Sequence, residues 1–353
     1  MKIQRVIIHD FKALKNVDIS FEKDFSPNIF PVASLNGGGK STLLQFIFTL
    51  LHCSGNFKKH QYIRNLLDDY EIPENELGKD LATFEIWDEE EQRTIELKFI
   101  CYNGKFEMSP LDDKTTYPVN FNSNYEILLN IDHNLNSFDN FMIFFRKLSN
   151  KIFLASSLMR PYLFLSKENK KLLFSNELDY CTKLLEVKKD LPDIYFYDYV
   201  GVGNLINFFT KARNNDFATM VKTGKYGKTF VQVLKDLKNF FNNIKITPDE
   251  DLTKVIFKKG DVELNPEDLS HGELMRLSIY AWIKANEMDN AIILMDEIEM
   301  GLHPDWQYKI IRDLEEWAGN SQFILATHSY EVCRALTPSH VKEIEPKLLK
   351  QVG

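Results

Sequence analysis

The stretch Ser34-Leu-Asn-Gly-Gly-Gly-Lys40-Ser41-Thr42 decides how the rest of this chain is read. Glycines at 37–39 let backbone N–H groups wrap closely around phosphate oxygens, and a helix beginning at Lys40 adds the positive end of its dipole. Lys40 is suited to neutralising β- and γ-phosphate charge, and the Ser41 hydroxyl to ligating Mg²⁺. Asn36 and Thr42 complete the loop. The stretch fits a P-loop everywhere except its first position, where Ser34 stands in place of glycine. A short apolar run, residues 28–35, leads into it, and a helical pattern (KSTLLQFIFTLLH, residues 40–52) follows. Strand, glycine loop and helix in that order are what a phosphate-binding turn requires.

Upstream of the loop, residues 2–8 (KIQRVII) and 17–21 (VDISF) read as strands joined by the turn FKALKN. Downstream, 81–87 and 93–102 alternate apolar and polar residues around an acidic turn, the pattern of a hairpin. From residue 103 to about 250 the texture changes to Phe-, Asn- and Lys-rich, with helical stretches at 166–189 and 229–243 and no heptads sustained enough for a long coiled coil. The α/β texture returns over 252–336: a strand (KVIF), a helix from Ser270, an apolar strand (AIILMDE), another helix and a second apolar strand (QFILATH). The expectation is therefore an α/β fold with mixed sheets. Its halves, 1–102 and 251–353, are separated by a mostly helical insertion over 103–250.

Three further clusters carry chemistry. The apolar strand 291–295 ends in Asp296 and Glu297, and carboxylates at the C-terminal end of such a strand face the phosphate crevice. Asp296 would hold Mg²⁺ through water, and Glu297 would orient or deprotonate the attacking water. An apolar strand ending in acids is common by itself; the P-loop is what gives this one meaning. Leu269-Ser270-His271-Gly272-Glu273 opens a helix, so Ser270 and the free N–H groups could meet a phosphate. Read alone, it is an N-cap with Glu273 as capping-box partner. Ala326-Thr327-His328-Ser329 follows the second apolar strand, and His328 could sense a γ-phosphate by hydrogen bonding.

Composition narrows the class. The 353 residues are 44% hydrophobic and 27% charged, as in an ordinary soluble domain. No apolar run approaches the ~20 residues needed to span a bilayer, and the N-terminus is not a signal peptide, so a cytoplasmic protein without membrane attachment is expected. Four scattered cysteines without a CxxC pair argue against zinc and point to buried free thiols. The net charge of −8 is uneven: residues 151–245 hold sixteen Lys/Arg against nine Asp/Glu, a local balance of +7 that leaves −15 elsewhere. That segment is either a contact surface for DNA or RNA or a solvated helical face.

The ordered set NGGGKST, LSHGE, ILMDE, GLHP and ATHS resembles the ABC ATPase superfamily, and more closely its non-transporter branch of SMC, RecF and OLD-like ATPases. MDEIEMGLHPDWQ resembles that branch's DEPExGLHP signature, with Gly301-Leu302-His303-Pro304 in place of a D-loop, and VIIHDFKALKNVDISF resembles its N-terminal pattern. The resemblance covers about half the chain, residues 1–100 and 252–336. It implies a P-loop ABC ATPase head that takes ATP and Mg²⁺, with Lys12 near the nucleotide. Ser270, Gly272 and Glu273 would close over ATP held by a partner's P-loop in a homodimer or higher oligomer. Ile298 replaces the usual proline, and the glutamine that often helps hold Mg²⁺ has no evident counterpart. Too few residues follow His328 for the nuclease domain of OLD nucleases, so any nuclease is expected to be a separate protein.

Three functional classes follow: an ATPase controlling an effector in anti-phage defence, comparable to the ATPase subunits of Septu or PARIS systems; a RecF-like DNA repair ATPase; and a transporter subunit. The GLHP segment, the FKALKN turn and an LSHGE without terminal glutamine all speak against the transporter.

Overall fold

The computed structural model describes residues 1–68, 80–103, 116–121, 125–131, 138–160, 162–197, 202–238, 240–241, 244–251, 254–265 and 268–344. The chain divides into two compact units, the first comprising 1–196, 289–300 and 304–353, the second 197–288 and 301–303.

The first unit begins with the hairpin β1 (Lys2–Phe11) and β2 (Leu14–Ser20), followed by β3 (Ile29–Ala33), α1 (Lys40–Cys53) and α2 (His60–Asp68). Then come β4 (Asp80–Asp88), β5 (Arg93–Asn103), β6 (Thr116–Phe121), β7 (Tyr125–Ile131), α3 (Phe138–Ser149), β8 (Ile152–Ser156), α4 (Lys167–Ser175), α5 (Glu177–Asp190) and β9 (Ile194–Phe196). The second unit contains α6 (Val202–Thr223), α7 (Thr229–Lys238), β10 (Lys245–Pro248), β11 (Val255–Lys259), β12 (Val262–Leu264) and α8 (His271–Ala285). The chain then supplies the first unit with β13 (Ile292–Asp296), α9 (Pro304–Ala318), β14 (Gln322–Ala326), α10 (Tyr330–Arg334) and β15 (Lys342–Glu343).

Two six-stranded sheets organise the first unit. The antiparallel one runs β2-β1-β4-β5-β7-β6; the parallel one runs β15-β3-β14-β13-β8-β9. Strands β8, β13 and β14 are buried along their whole length, so their apolar runs carry no alternation and resemble buried helix segments in sequence. Helix α1 packs on β8, β13 and β14 and buries all but its Ser41 and Thr42. The sheets are joined by a polar clip: the amide of Gln322, fully buried on β14, accepts from the Ile3 N–H at 2.8 Å and donates to the Ile3 carbonyl at 2.8 Å. A buried amide with both ends satisfied fixes register as well as position.

The expected boundaries at 103 and 250 differ from the division by contacts. Strands β8 and β9, within the segment expected to be a helical insertion, are strands of the parallel sheet. The second unit begins near residue 197 and keeps a three-stranded antiparallel sheet, β10-β11-β12, beside α6, α7 and α8. Its core centres on Phe208, Phe209, Leu237, Phe257 and Tyr280. The four cysteines are free; Cys53 and Cys101 are buried, while Cys181 and Cys333 are half-buried, short of the full burial expected.

Candidate functional site

The parallel sheet places the ends of β3, β13 and β14 side by side, Asp296 level with Ala326 and Ala326 level with Val32. Ligands in such sheets bind outside these carboxyl ends. There a cavity of about 420 Å³ is lined by Lys12, residues 37–42, Arg160, Lys170, Asp296, Glu297 and His328, among others. All of these belong to the first unit. Four cations face two carboxylates, a balance suited to a polyanion.

The loop geometry follows from its glycines. Gly37 and Gly39 have φ of +78° and +90°, where a side chain would be strained. At Gly38 the constraint is contact: a Cβ would lie 2.3 Å from Ser34 Oγ. Ser34 therefore does more than replace a glycine. Its carbonyl and hydroxyl accept from Lys40 Nζ at 3.0 and 3.1 Å, holding that ammonium over the loop. Burial pushes the Lys40 pKa down, against the opposing charges of Asp296 and Glu299. Gly39, the N-cap of helix α1, offers no side chain, so no capping group takes up the first N–H groups of the helix beside the cavity.

Ser41 and Asp296 lie 255 residues apart in sequence and meet directly: Ser41 Oγ donates to Asp296 Oδ1 at 3.0 Å. Asp296 is 2% exposed, and its Oδ2 has no hydrogen-bond partner. Burial raises its pKa, opposed by the charge of Arg160 and the bond from Ser41. A hydroxyl and a carboxylate, one of whose buried oxygens is unsatisfied, make a donor set that fits Mg²⁺, a hard cation that takes its other ligands from phosphate and water. Among the described residues no group of three or more His, Cys, Asp or Glu offers an alternative metal site.

Glu297 follows β13 with φ +54°, and its N–H donates to the Ala326 carbonyl at 2.8 Å, so the turn aims the carboxylate along the cavity. Glu299 is otherwise engaged: its carboxylate accepts from the Thr327 hydroxyl and from the His328 N–H, both at 2.7 Å. It positions the His328 loop, whereas the partly exposed Glu297 lines the cavity itself.

Lys12 lines the cavity from a turn of φ +51°, as the resemblance implies. Asn36 is exposed at the loop tip and does not line it. Ser270, Gly272 and Glu273 lie in the second unit, where Ser270 caps α8. The Ser270 hydroxyl accepts from the Glu273 N–H at 3.3 Å, and Glu273 Oε2 accepts from the Ser270 N–H at 2.8 Å, a complete capping box. In the GLHP segment Gly301 has φ +73°, and a Cβ there would lie 2.4 Å from His271.

Arg160 went unseen in the sequence. It follows β8 and donates through Nη1 to Ser41 Oγ at 3.1 Å, while its Nε is 3.3 Å from Asp296 Oδ2 and its Nη2 pairs with Glu297. Its only signal was a basic residue just beyond an apolar run (IFLAS) in a segment of helical texture. Gln45, also unremarked, accepts from the Leu163 N–H at 2.7 Å and ties the Arg160 loop to α1.

Sheet order, phosphate loop and acid-ended strand together define a P-loop ATPase domain of the ABC type. A family model described as "AAA domain, putative AbiEii toxin, Type IV TA system" matches residues 133–334, more than half the chain, and the chain belongs to that family. It is 37% identical over 98 residues, 25% of this chain, to a retron Ec83 probable ATPase of Escherichia coli. It is 31% identical over 163 residues, 40% of this chain, to a retron Vc95 probable ATPase of Vibrio cholerae serotype O1 biovar El Tor. These stretches span only 18% and 30% of those relatives. Among solved structures, an SMC head bound to the C-winged helix domain of ScpA has a TM-score of 0.47 at 13% identity, covering 94% of this chain and 92% of that one. The SMC head domain from Thermotoga maritima has a TM-score of 0.45 at 12% identity, covering 95% and 92%.

Proposed function

We propose that this chain binds and hydrolyses ATP, works as a nucleotide-clamped dimer, and uses that cycle to control a separate effector, a nuclease, in bacterial anti-phage defence within the cytoplasm. The observation that carries the ATPase reading is the Ser41–Asp296 bond inside the glycine-loop cavity, which brings the two Mg²⁺-binding residue types together from opposite ends of the chain. Gly37–Gly39 and the α1 N-terminus bind the β- and γ-phosphates, with Lys40 neutralising their charge. Ser41 and Asp296 would hold Mg²⁺, which supplies positive charge to the phosphate oxygens. Glu297 accepts the proton of the attacking water, and His328 hydrogen-bonds the γ-phosphate.

Ser270 and Gly272 at the α8 N-terminus are the donors for a partner's ATP in this reading, and the defence role is supported by the retron names of the relatives and by the family description. No described helix is long and apolar enough to cross a membrane. Isothermal calorimetry tests the site: wild-type protein binds ATP and Lys40→Ala loses most of that affinity. Unchanged affinity in the variant overturns the site assignment. Purification of the native complex tests the effector, and a preparation active against phage with no second protein bound would overturn it.

One observation favours a nucleic-acid role, as in a RecF- or SMC-like repair ATPase. Beyond Asp216 the end of α6 and the following turn are exposed on every side, carrying Lys222, Lys225 and Lys228 beside Phe217 (56% exposed) and Tyr226 (65%). Lysines contact phosphates and aromatic rings stack on bases. DNA or RNA affinity that falls steeply with salt, and is lost when the three lysines are changed together to glutamate, supports this reading; no binding at low salt removes it.

A further inference from the structure

Arg160 sits where the proposed function places Mg²⁺. Its guanidinium reaches three groups at once: the hydroxyl of Ser41, the buried carboxylate of Asp296 and the carboxylate of Glu297. The first two are the residues that would hold Mg²⁺; the third is the general base. A divalent ion and a guanidinium cannot share them. Like charges a few ångströms apart repel strongly in a partly buried site, and the Ser41 oxygen that accepts from Arg160 is the atom a metal would use. The unsatisfied Asp296 Oδ2 faces Arg160 Nε at 3.3 Å without a hydrogen bond, so the fork neutralises this oxygen but does not saturate it.

The backbone under Arg160 is held in place. Tyr180 donates its hydroxyl to the Arg160 carbonyl, Tyr162 donates to the Ser157 carbonyl at 2.5 Å, and Gln45 anchors the Leu163 N–H. The loop is fixed to α1 and α5 while the side chain, 26% exposed, borders the cavity. Lys12, Lys40 and Lys170 line the same cavity as Arg160, and an arginine side chain has rotatable bonds enough to exchange one anionic partner for another without movement of its backbone.

We propose that Arg160 is a displaceable counter-ion and γ-phosphate ligand: it occupies Ser41, Asp296 and Glu297 until a triphosphate claims its guanidinium. The exchange frees Ser41 and Asp296 for Mg²⁺ and releases Glu297 to accept the water's proton, so the base becomes available only when its substrate is bound. Planar bidentate recognition suits arginine to both partners, carboxylate and phosphate. A diphosphate offers no γ-oxygens and leaves the fork where it is. This inference rests on the ATP reading above.

The test uses the full chain with two readouts other than turnover. Mn²⁺ titration followed by electron paramagnetic resonance, without nucleotide, reads the competition. Arg160→Ala is expected to bind Mn²⁺ at least tenfold more tightly than wild type, and Arg160→Ala with Asp296→Asn is expected to lose that gain. Calorimetry in EDTA then compares ATP with ADP. Wild type is expected to prefer ATP, and Arg160→Ala to lose about tenfold of that preference with ADP affinity unchanged. Arg160→Lys, which keeps the charge without the fork, is expected to fall between and serves if the alanine variant fails to fold. Wild-type Mn²⁺ affinity together with an unchanged ATP-to-ADP ratio in both variants overturns the proposal. Lys40→Ala separates the two readings: if wild type binds ATP through Lys40 while the Arg160 variants change nothing, only the role of Arg160 fails. If Lys40→Ala binds ATP as wild type does, the nucleotide site itself is wrong.

Discussion

Two motifs that the proposed function turns towards phosphate are built in opposite ways. At the end of β13, Asp296 and Glu297 are held by partners far away in sequence: Ser41 on α1 and Arg160 beyond β8. At the start of α8, Ser270 and Glu273 are held by each other, three residues apart. The first site exists only because the parallel sheet brings β3, β8, β13 and β14 together, and its buried charges depend on that assembly. The second needs no tertiary partner, since a capping box closes within one helical turn. A locally completed motif can fold with its unit and still be free for a second task, whereas a motif assembled over 255 residues reports directly that a site has formed.

The sharpest way to break this contrast lies at Glu297. Glu297→Gln is expected to lower turnover by roughly 10²–10⁴-fold, the range for losing a general base, while ATP binding persists. Steady-state phosphate release beside calorimetry reads both; wild-type turnover in the variant would move the base elsewhere. The loop below it gives the next largest effect. Gly38→Ala places a Cβ 2.3 Å from Ser34 Oγ and should abolish measurable ATP binding. Ser34→Gly in the same chain removes that clash and should restore part of the affinity, though the Leu35 carbonyl 3.0 Å away keeps the recovery incomplete. No rescue would mean the loop fails for another reason.

The same contrast explains what the sequence could say. The P-loop, the capping box and the Asp296–Glu297 pair are local strings whose chemistry is legible in a few adjacent residues, and so were β1, α1, β4 and β5 by their periodicity. Strands β8 and β9 were not: Ile152–Ser156 and Ile194–Phe196 are short, buried on both faces and set among helices, so nothing in their pattern separates strand from helix. With β8 hidden, Arg160 had no reason to be placed at a strand end, and its partners lie 119 or more residues away. Glu299 shows the same limit. It stands two residues beyond Glu297 in sequence, yet only the structure shows it binding Thr327 and His328.

The tertiary character of the first unit also predicts an acid sensitivity outside the site. His52, 1% exposed at the end of α1, takes hydrogen-bond partners at both ring nitrogens: the Ser149 carbonyl and Lys59 Nζ, each at 2.7 Å. Burial first, then the Lys59 charge, push its pKa from 6.5 to about 3. The folded state therefore keeps this imidazole neutral, while the unfolded chain takes up a proton below pH 6.5. The unfolded state binds more protons across that window, so stability falls as pH drops from 6.5 towards 3, by about 1.4 kcal/mol per pH unit from this group. Urea unfolding at pH 7 and pH 5 should show the loss, and His52→Gln should flatten it. An equal slope in the variant would assign the acid sensitivity to other groups.

The smallest effect is the most discriminating for the local motif. If Ser270 only caps α8, Ser270→Ala costs about 1 kcal/mol of stability and leaves ATP turnover unchanged. If it also donates to a partner's nucleotide, turnover falls by more than the stability change explains, while ATP binding to the P-loop is intact. Ser270→Arg extends the test. A bulky cation at the helix start should block closure of the dimer without touching Lys40 or Ser41. Mixed with Lys40→Ala, it generates heterodimers in which one composite site pairs an intact P-loop with an intact Ser270, and the other carries both defects. Two-fold symmetry then makes a definite demand: heterodimers should recover up to half of the wild-type rate if one good site suffices. Full activity in a strictly monomeric Ser270→Arg protein would confine Ser270 to its capping role, and the local motif would then be complete in every sense.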